Sequence, residues 1–406
     1  MQRSRAFLLL LLTAAIAGCA TAPGETASPA QRPVTPIAQP APQAPRAAPA
    51  PPAATTQPYV SVPSVEAASP TGPAVLPEPA SGNIALLLPL DSPAFGHAAE
   101  AVKQGFMAAF GLSPANQTLR IKIYSTGDLP DSTLAAYRLA IQEGAQIVVG
   151  PLTRNAVTAL SGSDLVSVPT LALNVPDSAI VPPHNLYFFG LSVEAEARQV
   201  ARMAFADGKR RAVTIASGAL LSKRSQQAFV DQWQALGGTV VGQYQASEDA
   251  DALSGLRDTV AGSGADTIFL ALGYDKARLV RPYLPLTAAI YATSQVDNAG
   301  DNPAGYFDLD GVQFVDMPWL LQPDHPAVMI YPRADGLGGA DFQRLYALGI
   351  DAFRLSRILL GSPRRDFTLD GVTGQIRLQG DNQLSRKLVH AEFRQGAALV
   401  VEAPAP

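Results

Sequence analysis

The chain has 406 residues, 47% hydrophobic and 7% aromatic, with 30 Lys and Arg against 34 Asp and Glu for a formal net charge of −4. That apolar share is ample for one or two domains with substantial cores. The charge balance speaks against a nucleic-acid partner, which normally shows as a clustered basic surface.

Residues 1–19 open with Arg3 and Arg5, continue with an apolar stretch from Ala6 to Leu12, and end in Ile16-Ala17-Gly18-Cys19. The apolar run is too short to span a bilayer. The pattern resembles a bacterial lipoprotein signal with its lipobox, which implies a signal peptide over 1–19 and a lipidated Cys19 after processing. Ala20 and Thr21 follow, with no Asp after Cys19. By resemblance to sorted lipoproteins this implies the periplasmic face of the outer membrane. Residues 20–80 then change composition, with 16 Pro and 16 Ala in 61 residues and only Arg32, Arg46, Glu25, Glu66 and Glu78 charged. Such a segment cannot build a core. It reads as a disordered tether of extended, polyproline-rich chain, reaching up to about 190 Å if stiff.

The folded part, 81–406, begins with the stretch that organises the rest. Ile84–Leu88 is an apolar run bounded by Gly82-Asn83 and Pro89, as expected of a strand buried on both faces of a parallel sheet. Ser92 can N-cap a helix starting at Pro93. Ala98, Ala101, Val102, Gly105, Phe106, Ala109 and Phe110 form one apolar stripe along it. A strand over Leu119–Tyr124, a helix over Leu134–Glu143 and a strand over Gln146–Val149 follow, then strands over Val168–Leu173 and Leu186–Phe189. A second series runs through helix 194–207, strand Ala212–Ala216, helix Ser222–Leu236, strand Thr239–Tyr244, helix Leu253–Gly262, strand Thr267–Leu272, a helix near Lys276–Tyr283 and strand Ala289–Thr293. Two such runs argue for two α/β lobes, each with a largely parallel, doubly wound sheet. Val312–Val315 reads as a further strand, Met317-Pro318-Trp319 as a crossing between lobes, and Phe342–Leu360 as a long amphipathic helix. The tail alternates like a strand after a turn over Phe367–Leu378 and closes as a hairpin, Leu388–Phe393 with Ala398–Val401.

The segments IALLLPLDSP, VVGPLT, VPTLALN, LYFFGLS and DGVTGQIRLQGDNQLSR occur in this order between about Gly82 and Val401. Together they resemble the type I periplasmic-binding-protein fold of branched-chain amino-acid receptors, two lobes joined by a hinge. That resemblance implies a first lobe of about 82–190 and 318–380 and a second of about 191–317 and 381–402. Joined to a lipobox, the pattern most resembles the penicillin-binding-protein activator lipoproteins. These are outer-membrane proteins that stimulate a peptidoglycan synthase across the periplasm. Better-known members carry a helical-repeat domain where this chain has its Pro/Ala segment.

Catalytic residues do not emerge. Cys19 is committed to lipidation, so no thiol nucleophile remains. His97, His184, His325 and His390 are scattered, with no HExxH or CxxC for a metal, and no cofactor motif is complete. Asp308-Leu309-Asp310-Gly311 lacks the remaining ligands of a calcium loop and reads as a turn. What remains is a cleft, with Asp91, Ser92, Thr153, Asn174 and Ser192 on one lobe and Ser217, Tyr274 and Thr293 on the other. In receptors of this fold the corresponding loops hold an amino acid, but these residue types also suit helix caps and turns. Two readings follow. The first is a non-enzymatic lipoprotein that binds and activates a penicillin-binding protein, and the second a lipid-anchored solute receptor of an ABC transporter with a small molecule in the cleft.

Overall fold

The computed structural model describes residues 82–177, 181–299, 303–334, 336–361 and 367–402. Cys19 and the expected signal peptide and tether lie outside them. The first lobe runs β1 (Gly82–Leu88), α1 (Gly96–Leu112), β2 (Leu119–Ser125), α2 (Pro130–Gln142), β3 (Ile147–Val149), α3 (Arg154–Ser161), β4 (Thr170–Ala172) and β5 (Leu186–Phe188). Its five strands are all parallel, in the order β2-β1-β3-β4-β5. Along β1, Ile84, Leu86 and Leu88 join the core that contains α1, whereas Ala85 and Leu87 join the core under α2 and α3. Burial on both faces is why the strand is apolar at every position from Ile84 to Leu88.

One local expectation is corrected. Helix α1 begins at Gly96, not at Pro93. The Ser92 hydroxyl accepts from Phe95 N–H at 2.8 Å and the Ser92 carbonyl accepts from Gly96 N–H at 2.8 Å, so the hydroxyl caps a turn that precedes the helix.

The second lobe runs α4 (Val193–Ala206), β6 (Arg211–Ala216), α5 (Leu220–Ala235), β7 (Thr239–Gln245), α6 (Ala250–Gly262), β8 (Thr267–Ala271), α7 (Tyr274–Val280), β9 (Ala289–Ala292) and β10 (Val312–Asp316). The chain continues through α8 (Pro318–Leu321), α9 (Ala340–Leu360), β11 (Thr368–Gly371), β12 (Gly374–Leu378), β13 (Leu384–Lys387), β14 (Val389–Arg394) and β15 (Ala397–Val400). The second sheet has the order β15-β14-β10-β9-β8-β6-β7. Its β6 to β10 strands pair in parallel, and the β14–β15 hairpin adds antiparallel to β10. The closing hairpin stands where the sequence places it, within a residue at each end.

Helix α9 returns to the first lobe and packs along α1. Two glycines make that crossing close: a Cβ on Gly105 would stand 1.9 Å from the Tyr346 carbonyl oxygen, and one on Gly349 would stand 2.0 Å from that of Val102. Backbone meets backbone, so nothing flexible can yield. Gly105→Ala or Gly349→Ala is expected to lower stability by about 3 kcal/mol in urea unfolding. Gly111→Ala on the same helix, where the added methyl meets nothing within 4 Å, is expected to be neutral or to stabilise by about 0.5 kcal/mol.

The third sheet, β11-β12-β13, is antiparallel. Strand β13 went unread in the sequence, where Leu384-Ser-Arg-Lys shows little alternation. The expected lobe division at 380/381 falls inside this sheet, between β12 and β13. A parallel bridge from Phe188 to Gln383 ties the sheet to the edge of β5.

Candidate functional site

In each large sheet the strand order reverses beside the lobe's first strand: β1 lies between β2 and β3, and β6 between β7 and β8. Loops leaving neighbouring carboxyl ends therefore diverge and open a crevice. All eight cleft residues lie on these loops or at the helix starts that follow them.

Their side chains are largely engaged within the protein. Asp91 is exposed, and its N–H donates to the Thr126 carbonyl at 3.2 Å. Ser92 is buried, capping its turn and donating to Asp128 Oδ1. Asn174 donates to the Leu152 carbonyl at 3.0 Å and accepts from Val175 N–H at 3.0 Å. Ser192 caps α4, accepting from Ala195 N–H at 3.2 Å. Ser217 accepts from Ala219 N–H at 3.3 Å. Thr153 and Thr293 hold the cap positions of α3 and of a short 3₁₀ turn, and Tyr274 stacks edge-on against Tyr306. The residues do not gather into one pocket. Ser217 and Thr293 line a cavity of about 190 Å³ in the second lobe, and Ser192 lines a separate one of about 610 Å³. Asp91, Ser92, Thr153, Asn174 and Tyr274 line neither.

A different residue bridges the lobes. Glu194, in the first turn of α4, accepts on Oε1 from Arg154 Nη2 of the first lobe at 2.8 Å. The same oxygen accepts from Arg224 of the second lobe, at 2.7 Å through Nε and 2.5 Å through Nη2. Ser192 Oγ donates to its other oxygen at 2.9 Å. The Glu194 side chain is 15% exposed. Burial pushes its pKa up, but its own backbone N–H, Arg224, Arg154 and Ser192 outweigh burial and hold it below the usual carboxylate range.

Behind this clamp runs a buried polar chain through the crossings between lobes. Arg344 of α9 donates to Asp316 at the end of β10, at 2.6 and 3.2 Å, and to the carbonyls of Ser294 and Asp297 at 2.8 and 2.7 Å. Ser294 donates through N–H and Oγ to Glu196, at 3.2 and 2.7 Å. Glu196 lies 3.8 Å from Arg386, which donates to the carbonyls of Gly190 and Thr373 at 3.2 and 3.3 Å. Thr373 donates in turn to Asp351 of α9, at 2.8 and 2.7 Å. Sequence reading missed these residues. Glu194 stands in the first turn of α4, where an acidic residue is explained by the helix N-terminus alone. Arg344 and Asp351 carried a usable signal, two charges seven residues apart within the apolar stripe of one helix.

Of the Asp308–Gly311 segment, Asp308 and Leu309 end a short 3₁₀ helix, Pro303–Leu309, and Asp310 and Gly311 form the turn after it: Asp308 pairs with Arg278, and Asp310 accepts from Gln395 N–H at 2.7 Å. Among the described residues no three His, Cys, Asp or Glu side chains gather to hold a metal ion.

Comparison with known proteins places this architecture. Residues 75–396 match the family described as "LppC putative lipoprotein". The chain belongs to the LppC lipoprotein family. The penicillin-binding protein activator LpoA of Edwardsiella piscicida is 29% identical over 335 residues, covering 72% of this chain and 47% of that protein. LpoA of Pantoea ananatis is 28% identical, covering 68% and 47%. The chain thus spans about half the length of the curated relatives it matches. Among solved structures, the LpoA C-domain of Haemophilus influenzae, described as a regulator of PBP1A, superposes with a TM-score of 0.66 at 25% identity, covering 79% of this chain and all of that one (100%). A Chromobacterium violaceum protein described as a "putative branched-chain amino acid ABC transporter" gives a TM-score of 0.65 at 38% identity, covering 77% and 99%. The LppC fold is therefore the type I periplasmic-binding-protein fold, two lobes of parallel-rich α/β structure.

Proposed function

We propose that this LppC-family protein is a non-enzymatic regulator that binds and activates a penicillin-binding protein, and that its crevice is not a solute-receptor site. The observation that carries the reading is the Glu194 bridge. A carboxylate of the protein itself already pairs with arginines from both lobes, at the junction where a receptor would use its ligand to draw the lobes together. Polar side chains of Ser92, Asn174, Ser192 and Ser217 are engaged in turns and caps. Relatives described as penicillin-binding protein activators support the partner class.

The proposal extends to the amino terminus: Cys19 carries the lipid, the anchor lies in the outer membrane, and residues 20–80 span toward a synthase in the inner one. The alternative, a receptor feeding a transporter, draws support from the 38% identical Chromobacterium protein. Two measurements separate them. Turnover of a bifunctional peptidoglycan synthase is expected to rise several-fold when the protein is added. Isothermal titration with a panel of amino acids is expected to give no heat. Saturable amino-acid binding that Ser217→Ala weakens, with no change in synthase turnover, would establish the receptor instead.

A further inference from the structure

The cavity of about 610 Å³ opens between the solvent face of α4, the end of β5, the Val175–Asp177 loop and the β12–β13 turn, and of the eight cleft residues only Ser192 lines it. Its volume falls in the range of small-molecule sites. Arg198 and Arg202, four residues apart on α4, both line it, and side chains at that spacing stand side by side on one helix face. Most other lining charges are spoken for. Arg154 and Glu194 belong to the inter-lobe clamp, with Asp177 3.9 Å from Arg154. Glu196 holds Ser294 and faces Arg386. Asp381 is exposed in the turn, accepting from Gln383 N–H at 3.2 Å.

Arg198 and Arg202 have no carboxylate partner among the described residues. Arg202 gives one N–H to Gln232 Oε1 at 3.1 Å, and Arg198 makes no hydrogen bond or ion pair there. Two like charges on adjacent turns of a helix repel. Partial desolvation of its inner face, and then the neighbouring Arg198, lower the Arg202 pKa. Beneath them Arg386, with its side chain 5% exposed, has its nearest carboxylate 3.8 Å away. Of the four arginines that line the cavity, Arg154 is paired with Glu194, Arg386 has Glu196 at 3.8 Å, and Arg198 and Arg202 have no carboxylate within ion-pair distance among the described residues. Gln199, between the two exposed arginines in sequence, is locked to the backbone of Leu388 at 2.9 and 3.0 Å, which fixes this wall of the cavity.

We propose that this cavity is a binding site for a small anion, a ligand presenting a phosphate or carboxylate group that Arg198 and Arg202 take jointly, with Arg386 adding charge from below. Guanidinium forks match either oxyanion in bidentate geometry, so the two chemistries become separate arms of the test. The full chain is titrated calorimetrically at low salt with inorganic phosphate and, separately, with glutarate. At least one probe is expected to saturate with a Kd of about 1 mM or tighter, and the affinity should fall steeply with added salt. Arg198→Ala with Arg202→Ala is expected to weaken that binding at least about tenfold, whereas Arg198→Lys with Arg202→Lys retains a measurable part of it. Arg257→Ala, an exposed arginine on α6, serves as the unaffected control. Thermal unfolding of each variant is expected to match that of the unsubstituted protein, since both arginines are exposed. Failure of both probes to saturate by about 20 mM, or equal affinity in the double alanine variant, would overturn the site.

Discussion

Replacing Arg344 with methionine is expected to destabilise the protein by about 3 to 5 kcal/mol in guanidinium unfolding, as loss of one partner from a buried ion pair does. Its side chain is 5% exposed and that of Asp316 is 1% exposed. Burial pushes the Arg344 pKa down, but Asp316, with Asp297 and Asp341, outweighs it and raises it, so the guanidinium stays charged. Methionine fills much of the volume yet leaves the Asp316 carboxylate in the interior with only the Met317 N–H, at 2.7 Å, as a donor. The carbonyls of Ser294 and Asp297 lose a donor as well. Combining Arg344→Met with Asp316→Leu is expected to recover about half or more of the loss, because no orphan charge remains. Loss below about 1 kcal/mol in the single variant would mean that water reaches Asp316 and the pair is not sealed.

The parallel strands were the most legible part of the sequence, for a physical reason. A strand buried on both faces must be apolar throughout, and β1, β6 and β8 are buried at nearly every position. Helix faces were legible for the same reason, since Ala197, Val200, Ala201 and Ala204 of α4 all enter the core. The boundaries were less so. Pro93 looked like a first helical residue because proline lacks the orphan donor, but nothing local announces that the Ser92 turn comes before the helix proper. Strand β13 was hidden because its pairing with β12 is set by tertiary context rather than by its own pattern.

The candidate site was legible only as a region. Topology alone places the crevice at the carboxyl ends of the strands, and every loop chosen lies there. What topology cannot say is which polar side chains point outward. Serine, asparagine and threonine close turns as readily as they bind ligands, and at Ser92, Asn174 and Ser192 they close turns. The residue that spans the lobes is a glutamate whose partners lie 40 and 30 residues away. No spacing rule links them.

That glutamate yields the prediction with the largest conformational effect. Glu194→Gln keeps the size of the side chain and removes its charge, so Arg154 and Arg224 meet across the junction without the carboxylate they share, and only Arg154 keeps a second one, Asp177 at 3.9 Å. The lobes are then expected to separate, raising the radius of gyration in small-angle scattering, and stability at neutral pH is expected to fall by about 2 kcal/mol, a charge-assisted network discounted for partial exposure. The pH dependence gives an independent check. The Glu194 pKa is held below its ordinary value in the folded state, so its contribution is fully present above the unfolded-state pKa of about 4.3 and is lost as pH falls through the lowered folded pKa. The gap between wild type and Glu194→Gln should therefore be constant from about pH 6 upward and close in acid. Adding Arg154→Gln to Glu194→Gln relieves the repulsion and should return part of the compact scattering profile. If the single variant scatters like wild type and unfolds with it at every pH, Glu194 does not hold the lobes together, and a ligand in the crevice becomes the better account of what does.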